Sequence, residues 1–242
     1  MPPMGKMPFQ PAHPAAAMSR VSILVRAVAL VASVAAAWLV TGADTAPAKR
    51  RVVVLGDSLA AGYGVERGEG WPERVAARID KAGLPFEIVN AGVSGDTTAG
   101  GLRRLDWVLR QPVDVLVVEL GGNDGLRGIA PANTRSNLVA IIRRTRGRWP
   151  ASTVVVAGMQ MPPSMGADHA DTFCKVFQDV AREEKAELIP HLLEGVGGVP
   201  ELNQDDLIHP TPAGHELVAS NAWVTLEPVL RRVHGTPPRP GG

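Results

Sequence analysis

Val52-Val53-Val54-Leu55-Gly56-Asp57-Ser58-Leu59 is the stretch whose reading decides the architecture. Four consecutive apolar residues, three of them β-branched, do not alternate with polar ones. A strand built from them must therefore be covered on both faces, as strands of parallel sheets are. The run stops at Gly56. Outward from it the same rhythm returns. Trp71, Val75, Ile79 and Ala82 recur at helical spacing, with Gly83 as a stop. Residues 86–89 read as a second strand, and 97–110 as a helix carrying Leu102, Leu105 and Leu109. Residues 113–120 form a third strand, broken by Gly121-Gly122. A long helix after Pro131 turns Leu138, Ile141 and Ile142 inward, and 153–157 is a fourth strand. Phe173, Val176, Phe177 and Val180 mark another helix, 187–189 a short fifth strand, and Val218, Ala222, Leu226 and Val229 a last helix from near Pro212. Pro228 should kink or loosen its final turn.

Strand followed by helix, repeated, implies an α/β fold in which a parallel sheet is covered on both faces, because parallel strands need crossover connections. Such sheets place their sites at the carboxyl ends of the strands. No internal repeat interrupts the pattern. The body is read as one domain over 50–233, with a Pro/Gly-rich flexible tail at 234–242.

The front of the chain reads differently. Residues 1–17 are rich in Pro, Ala and Met without apolar period, and are expected to be a disordered extension. From Met18 the order is basic (Arg20, Arg26), then uncharged and apolar from 27 to 40, then small (Thr41, Gly42, Ala43). That is the layout of a secretory signal peptide over 18–43, and it places the body in the periplasm or outside the cell. The runner-up is an uncleaved apolar anchor holding the protein at a membrane, although the run is short of the roughly 20 residues a span needs.

Composition narrows the function. Of the 25 basic residues, Lys6, Arg20 and Arg26 precede residue 44, leaving 22 against 24 acids. A body that close to neutrality offers no electrostatic case for nucleic acid. A single cysteine, Cys174, excludes an internal disulfide and a multi-cysteine metal site, and its neighbours Phe173, Val176 and Phe177 suggest an inert thiol on a helix face.

Four loops carry candidate chemistry. Ser58 follows the first strand, where it would project from a strand-to-helix turn at the mouth of the sheet. Serine is a poor nucleophile without a base in hydrogen-bond reach, and the turn alone is equally a helix cap. It is not the G-x-S-x-G elbow, since Ala60 stands at the last position. At the other end of the chain lies Asp206-Leu207-Ile208-His209-Pro210. A spacing of three lets the aspartate hold Nδ1–H of His209 and leave Nε2 free to take the serine proton. Asp205 is one residue off this spacing and reads as a surface neighbour. His13, His169, His191, His215 and His234 lack such a partner and are assigned structural or surface work. Donors for a developing oxyanion are offered by Asn90 to Asp96 after the second strand and by Gly121-Gly122-Asn123-Asp124 after the third. Asp57, Asp96 and Asp124 themselves read as caps or turn formers.

The blocks 56–59 (GDSL), 94–96 (SGD), 121–124 (GGND) and 206–210 (DLIHP) resemble the four motifs of the GDSL, or SGNH, hydrolases, and 119–128 (ELGGNDGLRG) is especially close to their bacterial thioesterase, lysophospholipase and arylesterase branch. The resemblance covers roughly residues 50 to 233. It implies a flavodoxin-like three-layer α/β/α sandwich with five parallel strands, and neither metal nor cofactor. By the same resemblance Ser58 is the nucleophile, His209 the base and acid, and Asp206 the orienting group. The Ser58 N–H, the Gly95 N–H and the Asn123 side chain form the oxyanion hole.

In that branch the loop corresponding to 158–166 lines the acyl pocket, which marks Met161 and Pro162 for substrate contact. Met159, Pro163 and Met165 sit beside them. Methionines give an adaptable apolar wall. Residues 125–129, bracketed by Gly125 and Gly128, are expected to be a mobile loop. The reading is of a monomeric esterase or thioesterase acting on small acyl esters, thioesters or lysophospholipids through an acyl-enzyme. The alternative is an acetylesterase or acyltransferase of cell-envelope carbohydrate, and it needs a polar, aromatic-lined groove for which 4% aromatics is a thin supply. A third reading, a binding module of the same shape without catalysis, leaves the co-occurrence of Ser58, Asn123, Asp206 and His209 unexplained.

Overall fold

The computed structural model describes residues 49–161 and 166–236. The extension, the leader, Pro162, Pro163, Met165 and the tail from 237 lie outside the described residues. Strand β1 (Arg50–Gly56) leads into the short helix α1 (Ser58–Ala61) and then α2 (Trp71–Lys81). β2 (Phe86–Gly92), α3 (Thr98–Val108), β3 (Val115–Glu119), α4 (Gly122–Leu126) and α5 (Pro131–Arg148) follow. β4 (Thr153–Ala157), α6 (Ala167–Glu183), β5 (Glu187–Ile189), a 3-10 turn (Pro200–Leu202) and α7 (Pro212–His234) complete the order.

The five strands form one sheet in the order β2-β1-β3-β4-β5, every pair parallel. α2 packs against α7, while α3, α5 and α6 pack in a row, so helices flank the sheet as the three-layer expectation requires. Val52, Val54, Leu55 and 115–118 are completely buried, as continuous apolar runs must be when both faces are covered. Each such Val or Leu contributes about 1.5–3 kcal/mol relative to exposure.

Register sets the site. Gly56 pairs with Gly92 on one side and Glu119 on the other, so β1, β2 and β3 end level with one another. β1 is also where the strand order reverses, and the loops leaving β1 and its two neighbours open there into one crevice.

Several elements differ from the sequence expectation. β2 runs on to Gly92 and absorbs Asn90 and Ala91, which the sequence pattern places in the loop. Asn90 is tolerated at this edge because its amide donates to Ala60 O (2.7 Å) and Glu73 (2.9 Å) while its oxygen accepts Gly92 N–H (2.9 Å). α7 continues through Pro228 to His234. The carbonyl deprived of its donor there belongs to Val224, which is 78% exposed and open to water. Beyond it, Thr236 hydrogen-bonds the Arg50 guanidinium.

Candidate active site

The turn that carries Ser58 is built by Asp57. Its side chain caps α1 by accepting Leu59 N–H at 3.0 Å, and Gly62 closes the helix in the left-handed region at φ 69°. Asp57 is 2% exposed. Burial raises its carboxyl, against the lowering pull of the Leu59 N–H, the Asn123 amide and the His209 charge, to about 6.

A different local device aims the histidine. Asp206 Oδ1 accepts both Ile208 N–H and His209 N–H at 2.9 Å, folding the loop over its own carboxylate. An antiparallel bridge between Asn203 and Pro210 ties off the loop, and Leu207 sits at φ 58° inside it. Oδ2 of Asp206 is left facing His209 Nδ1 at 2.6 Å, and His209 Nε2 lies 2.9 Å from Ser58 Oγ. Partial burial would raise the Asp206 carboxyl, but hydrogen bonds from the His209 ring and the two amides outweigh it and bring it down to about 2. Asp205 is exposed, as expected. The Tyr63 ring packs against His209 in a tilted arrangement, with centroids 4.6 Å apart.

Gly95 stands at φ 79° in the loop after β2, a conformation that favours glycine. Arg104 on α3 holds that loop to the sheet. Its guanidinium reaches Asp96 Oδ2 (2.7 Å), Ala91 O (2.7 Å) and Gly56 O (2.9 Å), which joins the ends of β1 and β2 to the Gly95 segment. Among the described residues, the N–H groups of Ser58 and Gly95 take no protein acceptor. Asn123 differs. Its amide donates to Asp57 Oδ2 (3.1 Å) and to Asp96 O (2.9 Å), so a substrate oxygen must share or displace one of these. Asp124, next to it, is a cap for another helix. Its carboxylate takes Thr98 N–H (2.8 Å) at the start of α3, along with the Thr98 hydroxyl.

Ser58, Asn123, Asp206 and His209 all line a cavity of about 610 Å³. Its apolar wall includes Leu126, Met159, Met161, Leu193, Leu207 and Ile208. Met161 therefore sits where substrate contact was expected; its partner Pro162 lies outside the described residues. Of the stretch 125–129, Gly125 and Leu126 close helix α4, and 127–129 turn out of it with 126–128 exposed. Gly125 is buried against Met161, whose Sδ would stand 2.1 Å from a Cβ there, and Ile129 N–H is bonded to Asp124 O at 2.9 Å.

Sequence reasoning missed Tyr63, Arg104 and Glu119 around the site, and placed His191 among surface or structural histidines although it lines the cavity. None stands in a spacing that signals chemistry. His215 is fully buried and accepts Trp71 N–H on Nδ1 (3.3 Å). Burial first, then the Arg74 and His209 charges, depress it to about 4. Cys174 is half-buried, and its thiol is pushed up by burial and by Asp171. Among the described residues no group of His, Cys, Asp and Glu is placed to hold a metal ion, and no helix is long and apolar enough to cross a membrane.

A crevice at the strand-order reversal of a parallel sheet, with a serine, a histidine and an aspartate in hydrogen-bonded sequence, defines a serine hydrolase fold. Residues 54–217 match the GDSL-like Lipase/Acylhydrolase family, and the chain belongs to it. The esterase TesA of Pseudomonas aeruginosa is 42% identical over 184 residues, which span 76% of this chain and 90% of that one. Thioesterase 1/protease 1/lysophospholipase L1 of Escherichia coli is 35% identical over 187 residues, 76% of this chain and 87% of its own. The crystal structure of TesA superposes with a TM-score of 0.72 at 40% identity, covering 74% of this chain and all but 1% of that one (99%). The chain is a serine hydrolase acting on esters.

Proposed function

We propose that Ser58 is the acylated nucleophile, His209 its general base and acid, and Asp206 the group that orients the imidazole. The observation that carries this is the unbroken line from Asp206 Oδ2 through His209 to Ser58 Oγ, at 2.6 and 2.9 Å. His209 Nε2 takes the hydroxyl proton as Oγ adds to the acyl carbonyl. The Asp206 carboxylate stabilises the imidazolium so formed. The unengaged N–H groups of Ser58 and Gly95 receive the tetrahedral oxyanion, with Asn123 as third donor once its amide is shared. His209 returns the proton to the leaving oxygen or sulfur, and water repeats the sequence to release the acid.

The substrate reading is a small ester or thioester carrying a single acyl chain, lysophospholipid included. The apolar wall of Leu126, Met159, Met161, Leu193, Leu207 and Ile208 supports a chain over a sugar in the cavity. Residues 18–43 support export to the periplasm, since their basic, apolar and small segments follow in the order of a leader. Ser58→Ala is expected to keep the fold, by circular dichroism and melting temperature, and to lose p-nitrophenyl ester cleavage; unchanged turnover would sink the assignment.

A further inference from the structure

A fully buried carboxyl beside the site has no part in the chemistry above. Glu119, the last residue of β3, is 0% exposed. Its Oε2 accepts Asp57 N–H at 3.1 Å and Ala60 N–H at 3.2 Å, the two amides on either side of the Ser58-Leu59 pair. Its Oε1 is buried without a hydrogen-bond partner. The opposite residue in the register is Gly56, where a Cβ would stand 2.4 Å from Glu119 Oε2 and 2.5 Å from the Ala60 side chain. The glycine that opens the nucleophile block is thus space reserved for the Glu119 carboxyl and the underside of α1.

The geometry points to Glu119 as a positioning residue: a neutral carboxylic acid whose one carbonyl oxygen pins the amides of Asp57 and Ala60, fixing the turn that aims Ser58 Oγ at His209. The inference rests on Ser58 being the nucleophile. A carbonyl oxygen has two lone pairs and satisfies both amides without a charge. An anion in that place would bury a full negative charge, whereas the acid leaves only a neutral hydroxyl at Oε1. Burial raises the Glu119 carboxyl well above the usual range, and the Asp57 charge beside it pushes the same way. Asp57 itself is close to the reacting atoms through Asn123, so the acid beneath the turn keeps a second negative charge away from a developing oxyanion.

The test compares Glu119→Gln with Glu119→Leu in the full-length protein. The amide keeps the two-lone-pair oxygen without a charge; leucine fills the volume and accepts nothing. Glu119→Gln is expected to retain kcat within about threefold, whereas Glu119→Leu should lose about 10²-fold in kcat with KM nearly unchanged, the scale of a misplacement near 1 Å. Labelling of Ser58 by a fluorophosphonate should slow in parallel for the leucine variant and not for the glutamine one. A folded leucine variant labelled at the wild-type rate overturns the inference alone. So does an inactive glutamine variant, which would make the charge and not the acceptor the working feature. That arm decides the matter even if leucine prevents folding. A wild-type protein that takes no label at Ser58 overturns the nucleophile assignment instead.

Discussion

A residue three positions from a histidine does two things at once in this chain. Asp206 folds its own loop, by accepting the amides of Ile208 and His209, and it holds the imidazole. The two roles separate in mutants. Asp206→Asn keeps an oxygen for the amides but sets an NH₂ against His209 Nδ1–H, favouring the wrong tautomer. It should fold normally and lose roughly 10³–10⁴ in kcat. Steady-state kinetics at fixed pH check this, and a loss under tenfold would mean that another acceptor orients the ring. The carboxyl brought down to about 2 stays ionised through the working range, so no limb of the activity profile above pH 4 should belong to it. Asp206 and His209 were legible in sequence because the device is local. Tyr63, in tilted ring contact with His209 from 146 positions away, was not, since nothing beside it marks an aromatic of that loop as part of a site.

At the scale of elements, close packing at the strand ends decides what the loops can do. α1 lies so near the end of β2 that a Cβ on Gly92 would meet Ala61 N at 2.4 Å and the Ala60 carbonyl carbon at 2.8 Å. These are backbone atoms and cannot rotate away. Gly92→Ala should therefore lower stability by about 1–3 kcal/mol and also reduce kcat, because the helix it displaces carries Ser58. Thermal melting and ester turnover measured together test this, and a variant that melts earlier but turns over normally would show that α1 moves without consequence for the serine. In sequence Gly92 looked like one more loop glycine, because the strand was expected to end at Val89. An edge strand may continue through Asn90 only when something satisfies that side chain, and Ala60 O and Glu73 do so from elements far earlier in the chain.

For the molecule as a whole, the packing of α7 on α2 sets a pH limit on stability. His215 sits in that contact, accepting Trp71 N–H in its neutral form. Its folded value of about 4 lies below the 6.5 of an unperturbed histidine. The unfolded chain therefore binds more protons between these values, and stability falls as pH drops from about 6.5 toward 4, being fully present above that window. This contribution is on the order of 3 kcal/mol. His215→Asn, which keeps an acceptor for Trp71, should melt with a shallower pH dependence between pH 4 and 6.5. Parallel slopes for the two proteins would refute it.

Periodicity alone determined the order of strands and helices, because a run such as 52–55 leaves a strand no exposed face and helical spacing leaves a helix only one buried side. Local spacing likewise determined the Asp206 loop. The tertiary structure decided what depends on distant segments meeting: that Ser58 and His209, 151 positions apart, close to 2.9 Å, that Arg104 ties the Gly95 loop to two strand ends, and that Gly56 leaves room for the Glu119 carboxyl. The physical reason is that polarity and period are properties of neighbouring residues, whereas a hydrogen bond across the sheet exists only once register has brought three strand ends level.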